Sequence, residues 1–213
     1  VARVSLAAGT AGPLGGDDYA LSVRVGAGST LVLQDVAMML VLPGATGARS
    51  RMAVDIRIED GATFVWWAEP IIAGRGCRHL HEIRIEIAPT ARMVIREETI
   101  LGRHGEVCGD FASRLRITRG GRPLYDQRLC VGPSADGATG AAILGDAGAA
   151  GSIVVVDPAW EDGAPPADPF AATASRTPLA GPGVAIGAVA LDSLALRRHL
   201  MRGLASLGAP WAP

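Results

Sequence analysis

Two adjacent carboxylates inside an apolar run, Glu97 and Glu98, are the first residues of this 213-residue sequence that could do chemistry. In Met93-Val-Ile-Arg-Glu-Glu-Thr-Ile100, Glu97 shares strand parity with Met93 and Ile95, and Glu98 with Val94 and Ile100. Successive strand side chains point to opposite faces, so at least one carboxylate must sit on an apolar face. A buried carboxylate needs a cation, a hydrogen-bond donor or a water-filled cavity, or it protonates. Pairing with Arg96 or Arg103 is the structural solution. A polar channel or transient ion site around Glu97 is the functional one.

Two further clusters have metal-ligating types. His79 and His81 alternate on one strand, roughly 7 Å apart at the Cα level and on one face, with Cys77 in the same parity. Two imidazoles so placed can share a borderline ion such as Ni²⁺ or Zn²⁺. His104-Gly-Glu-Val-Cys108-Gly-Asp110 offers imidazole, carboxylates and thiol within seven residues. Neither spacing matches a closed structural zinc site, and exposed polar residues near a turn are the plain alternative for both. Other chemistries find little support. All 20 basic residues are Arg, so a Schiff-base lysine, a lysine general base and a phosphate-loop lysine are excluded. The glycine-rich Gly12–Asp17 and Gly44–Gly47 stretches lack the Gly-Lys-Ser/Thr of a phosphate loop and read as turns. No Gly-x-Ser-x-Gly elbow occurs. A net charge of −1 argues against a nucleic-acid partner.

The elements that must position these residues are strands. Tyr19, Leu21, Val23 and Val25 alternate with small or polar residues, as do Val54, Ile56 and Ile58, then Ile83, Ile85 and Ile87, then Leu115 and Ile117. The pattern predicts half-buried antiparallel strands. Turns at Val25–Leu31, Glu59–Phe64 and Ile87–Met93 recur at roughly 30-residue intervals and launch the next apolar run. A stack of degenerate hairpins follows, giving an all-β, elongated β-helical array; three unrelated hairpins in a sandwich are the alternative. The expected organisation is one domain over 1–213, with a β-rich core at 12–131 and a Pro/Ala-rich loop at 158–182. A helix is expected at 192–207, capped by Asp192 or Ser193, and a second helix is allowed. On it Leu194, Leu196, Leu200, Leu204 and Leu207 form an apolar stripe, for the chain's own sheet or a partner, while Arg197, Arg198 and Arg202 face away. Three cysteines without regular spacing are no disulfide framework. Val1–Gly16 lacks a signal-peptide pattern, and runs such as Gly183–Leu191 are too short to span a bilayer, so a cytoplasmic protein without membrane contact is expected.

The order of motifs adds a resemblance. Pro13-Leu-Gly-Gly-Asp17, the Gly61-Ala-Thr-Phe-Val-Trp66 strand, Glu97-(x)3-Leu101-Gly-Arg103, Gly105-Glu106 and Gly121-Arg-Pro-Leu124 follow one another as in the urease accessory protein UreD (UreH) family. The series resembles its actinobacterial branch over about Gly12 to Val131. Where the family commonly has Pro-Gln-Glu after the Trp strand, this chain has Ala68-Glu69-Pro70, and Arg96 stands where a Trp often does. The resemblance implies a non-catalytic β-helical protein that binds apo-urease and UreF, through which UreG is recruited, in a hetero-oligomer, with a dimer of complexes as one form it allows. It implies no tightly bound cofactor, only transient Ni²⁺ passing along a polar internal tunnel to urease. Asp17, Glu97, Arg103 and Glu106 are the positions it implies for lining or bracing that tunnel. His79, His81, His104 and Cys108 remain weak metal candidates, and no partner-binding residue is assigned. The rival readings are a stand-alone metalloenzyme using His79, His81 and a carboxylate, and a purely structural β-solenoid.

Overall fold

A computed structural model describes residues 1–9 and 11–211. After an edge strand, β1 (Ala2–Leu6), the chain winds through three coils. The first contains β2 (Asp18–Val25), β3 (Thr30–Asp35) and β4 (Met39–Val41); the second β5 (Ser50–Ile58), β6 (Thr63–Trp67) and β7 (Ile71–Ala73); the third β8 (Arg78–Ile87) and β9 (Arg92–Ile100). Strands at equal positions pair in parallel: β2 with β5 and β5 with β8 in one sheet, β3 with β6 and β6 with β9 in the other. The chain then closes with β10 (Asp110–Arg119), β11 (Arg122–Val131), β12 (Ala149–Val156), β13 (Asp168–Ala171), β14 (Ala174–Pro178), β15 (Gly183–Ala190) and α1 (Ser193–Ala205). The smaller sheet runs β11-β10-β8-β5-β2, and the larger runs β1-β3-β6-β9-β12-β15-β14-β13, with β4 and β7 beside it.

The stacked β-helical reading therefore holds, with two corrections. The repeats are arches, not hairpins: β2 and β3, for example, belong to opposite sheets and do not pair. The ladders between coils are parallel, not antiparallel. Antiparallel pairing enters only with β11 through β15. The period-two pattern arises because one face of each strand fills the space between the sheets. Val23, Ile56, Ile85 and Ile117 lie side by side there, facing Phe64, Met93 and Ile95. The arches are stapled to one another by hydrogen bonds: Gly28 N–H donates to Asp60 O at 2.8 Å, and Gly61 N–H to the Thr90 side-chain Oγ1 at 2.9 Å.

The 158–182 segment is not a plain loop. It holds a 3-10 turn at Pro158–Trp160 and both β13 and β14. α1 begins where Asp192 accepts a hydrogen bond from Ala195 N–H at 2.7 Å, which satisfies one orphan donor of the first turn. Leu196, Leu200 and Leu204 are buried against Val155, Val184 and Ile186, so the stripe packs on the chain's own larger sheet; Leu194 is exposed. The molecule thus has three layers: small sheet, large sheet, helix.

At the opposite ends of the coils, turns approach backbone to backbone. A Cβ on Gly44 would lie 2.0 Å from Gly15 O, whereas one on Gly9 would meet nothing within 4 Å. Gly44→Ala should therefore cost about 2 kcal/mol through forced separation of the turns. That corresponds to a melting temperature lower by about 4–8 °C. Gly9→Ala should leave it unchanged; equal melting of both variants would contradict the close-packed turns.

Candidate functional site

The large sheet is split. β9 pairs with β6 up to Arg96 and with β7 from Thr99, so Glu97 and Glu98 have no ladder partner on that side. Opposite these two residues the second coil places three, 68–70, and the first coil four, 35–38. The bulge grows by one residue per coil and opens a fissure. Pro70, which has no N–H to donate to a ladder, suits its wall. A cavity of about 530 Å³ occupies the fissure, lined by Val36, Met38, Ala68, Glu69, Trp66 and Glu98 among others. It continues between the sheets to His81, Ile83 and Phe111. A second cavity, about 500 Å³, lies between β10 and β11 on one side and β12, β14 and β15 on the other. The two share Glu97, Thr99 and Ser113.

Glu97 is thus the waist. It points inward, in line with Met93 and Ile95, and sits opposite Ser152 of β12. Among the described residues no hydrogen bond or ion pair reaches its carboxylate. Burial pushes the group up from 4.5 to about 7. Tyr125 of β11 is pushed up to about 12 by its burial and by the negative field of Glu97. The structural alternative, pairing with Arg96 or Arg103, is met by the neighbouring Glu98 through Arg96 and not by Glu97.

Both carboxylates lie on apolar faces, and the outward one takes the cations. Glu98, with no exposed side-chain surface, receives Arg96 Nε at 3.0 Å and Arg197 Nε at 2.9 Å on one oxygen. Glu69 closes the network at 3.3 Å from Arg96 and 3.2 Å from Arg197. Arg96 also donates to Ala68 O and lies 5.7 Å over the Trp67 ring. Arg197, expected to face away, instead ties α1 to the large sheet. Gly151 makes room for this docking, since a Cβ there would come within 3.3 Å of Leu196. Beside the network, Glu69 N–H donates to Asp35 at 3.0 Å. Burial raises the pKa of Asp35. Asp35, Glu69, Glu98 and Glu97 therefore mark the course of the fissure cavity.

The histidine pair is buried, not exposed near a turn: His79 is 2% and His81 5% exposed. Their rings stack at 6.1 Å, and His79 stacks on Phe111 at 5.7 Å and meets Ser50 Oγ at 2.9 Å. Burial lowers them to about 4 and about 3, so both are neutral at ordinary pH. His81 Nδ1 and His79 Nε2 have no partner among the described residues, an arrangement that costs about 1–3 kcal/mol per group.

The second cluster disperses. His104 is exposed, Glu106 is clamped by Arg103 at 2.9 Å, and Asp110 accepts from Ser134 N–H and Oγ. The Cys77 and Cys108 thiols are free, and burial raises them to about 11 and about 12. Among the described residues no three His, Cys, Asp or Glu side chains converge. Asp17, Arg103 and Glu106 line neither cavity. Asp17 braces the Pro13–Asp17 turn by accepting from Leu14 N–H at 2.8 Å. The Arg103–Glu106 pair, which holds Glu106 down at about 2, braces the loop after β9. Sequence reasoning missed Asp35, Arg197 and Ser152; a parity count of 152 against 97 was available only once β12 was known to pair with β9.

No helix among the described residues is long and apolar enough to cross a membrane. Residues 1–209 match the UreD urease accessory protein family. The chain is 38% identical to urease accessory protein UreD 3 of Streptomyces griseus, over 97% of this chain and 81% of that one. It is 40% identical to urease accessory protein UreD of Frankia alni, over 92% of this chain and 71% of that one. It is also 40% identical to urease accessory protein UreD 2 of Saccharopolyspora erythraea, over 94% and 72%.

Two stability effects follow. Arg197→Ala leaves the buried Glu98 with one cation instead of two and should cost about 2 kcal/mol, lowering the melting temperature by about 4–8 °C; an unchanged melt would mean that the network does not hold the helix. Glu97 is neutral in both states below pH 4.5, while between 4.5 and about 7 the unfolded carboxyl ionises first. Stability must then fall as pH rises through that window. Glu97→Gln should be more stable than the parent by about 2–3 kcal/mol near pH 8, with the difference vanishing below about pH 4.5. Urea denaturation at both pH values checks this, and a difference independent of pH would refute it.

Proposed function

Because the chain belongs to the UreD urease accessory protein family and so takes part in urease maturation, we propose that it is a non-catalytic cytoplasmic scaffold that passes Ni²⁺ toward apo-urease. In this reading it works as part of a hetero-oligomer, binding apo-urease and UreF, with UreG recruited through UreF. The observation that carries the proposal is the meeting of two cavities at one unpaired carboxylate, Glu97, flanked by the hydroxyls of Thr99 and Ser113. Oxygen ligands of this kind suit a borderline divalent ion held weakly enough to move on. A tight site would trap the cargo. The named relatives are accessory proteins, in keeping with a role other than turnover.

The test is co-expression of the urease structural subunits with UreF and UreG, with and without this chain, reading the nickel content of purified urease. Nickel should drop severalfold without the chain and also with Glu97→Ala, while pull-down of UreF and urease by the variant stays intact. Equal nickel in all three preparations would overturn the reading. Loss of the pull-down together with nickel would make Glu97 a structural residue instead.

A further inference from the structure

Thioethers and an imidazole line the fissure cavity from both sheets. Met38, Met39 and Met52 line it, three of the chain's five methionines, together with His81. Met52 and His81 are direct partners in the parallel β5–β8 ladder, with Cα atoms roughly 4.8 Å apart. Both share the inward parity of Val54 and Ile83. His81 is held by stacking on His79, which is itself fixed by Ser50 and Phe111. Its ring is oriented by that stack, and its buried Nδ1 has no partner among the described residues.

We propose that His81, Met52 and Met39 form a binding site for a soft monovalent cation, Cu(I), inside this cavity. Neutral thioether donors select Cu(I) over harder ions, and imidazole completes such a set. A single positive charge among neutral ligands also suits a largely apolar chamber, walled here by Leu6, Leu21 and Ile83, better than a divalent ion does. A purely packing role for this corner would be filled by Leu or Phe without leaving an imidazole nitrogen unsatisfied. The chemical consequence is selection by ligand softness: a soft ion entering the cavity is held by sulfur and nitrogen, while an oxygen-seeking divalent ion is left for Glu97.

The full-length chain, carrying Cys108→Ser and Cys130→Ser to remove the more accessible thiols, is titrated anaerobically with Cu(I) against a chromogenic Cu(I) chelator. One equivalent should be withheld from the chelator. Met52→Leu, which keeps volume and fold, should weaken binding at least tenfold, and Met39→Leu should act in the same direction. Met201→Leu, a thioether outside this cavity, should leave it unchanged. X-ray absorption of the copper-loaded chain should give both sulfur and nitrogen neighbours. Failure to compete with the chelator would overturn the site, as would Cu(I) held equally well by Met52→Leu or a sulfur-only shell.

Discussion

The Glu98 carboxylate, shut from solvent and gripped by Arg96 and Arg197, is the interaction on which the arrangement of the layers rests. It sits where β9 has lost its neighbour on one side, so the ladder cannot fix the strand there. A buried ion pair of this kind contributes little net stability against an apolar replacement, because desolvation offsets the Coulomb attraction. Its effect here is positional. With Glu98 clamped outward by Arg96 and by Arg197 of α1, alternation along the strand turns Glu97 inward, and the waist between the two cavities acquires its carboxylate.

The fissure follows from coil geometry. Parallel stacking demands that equal positions of successive coils lie one strand spacing apart, and the aliphatic ladder through Val23, Ile56, Ile85 and Ile117 enforces this in the small sheet. The large sheet accommodates an extra residue in each outward coil by bowing away from β9, so its defect widens toward the first coil. A single bulge would re-aim one side chain; aligned bulges of growing length make a chamber. Glycines at the coil ends, such as Gly15 and Gly44, keep the stack tight despite that defect.

Much of the fold was legible from alternation and from the turn spacing, because both report directly on one buried face per strand. Parallel and antiparallel ladders were not distinguishable, since a coil with one face inward has the same period as a hairpin with one face inward. The strands within 158–182 were hidden by Pro and Ala, which have little strand preference and are tolerated at a sheet edge. At the site, Glu97 stood out because its conflict with Met93 and Ile95 is local. Arg197 did not, because the helical wheel assigns it to the outer side, and its partner Glu98 lies 99 residues away. The shared parity of His79 and His81 was visible, but their burial depends on Ser50 and Phe111 from neighbouring strands. Arg103 and Glu106 turned out to satisfy each other, which sequence spacing permits but does not require.

Unsatisfied polar atoms are rare in folded proteins and concentrate where something other than packing is being served. Here buried side-chain atoms without a partner among the described residues include His79 Nε2, His81 Nδ1, Glu98 Oε2 and Arg119 Nε. His81 and Glu98 line the fissure cavity, and His79 stacks directly on His81. Glu97, held by no cation, lies at its inner end. A fold stabilised only by its aliphatic ladders would have no reason to gather most of these costs around one void; Arg119, at the end of β10, is the exception among the atoms named. The imidazoles, the Glu98 oxygen and Glu97 thus gather at the split of the large sheet. His81 and the methionines line its wall, and Glu97 lies where the two cavities meet.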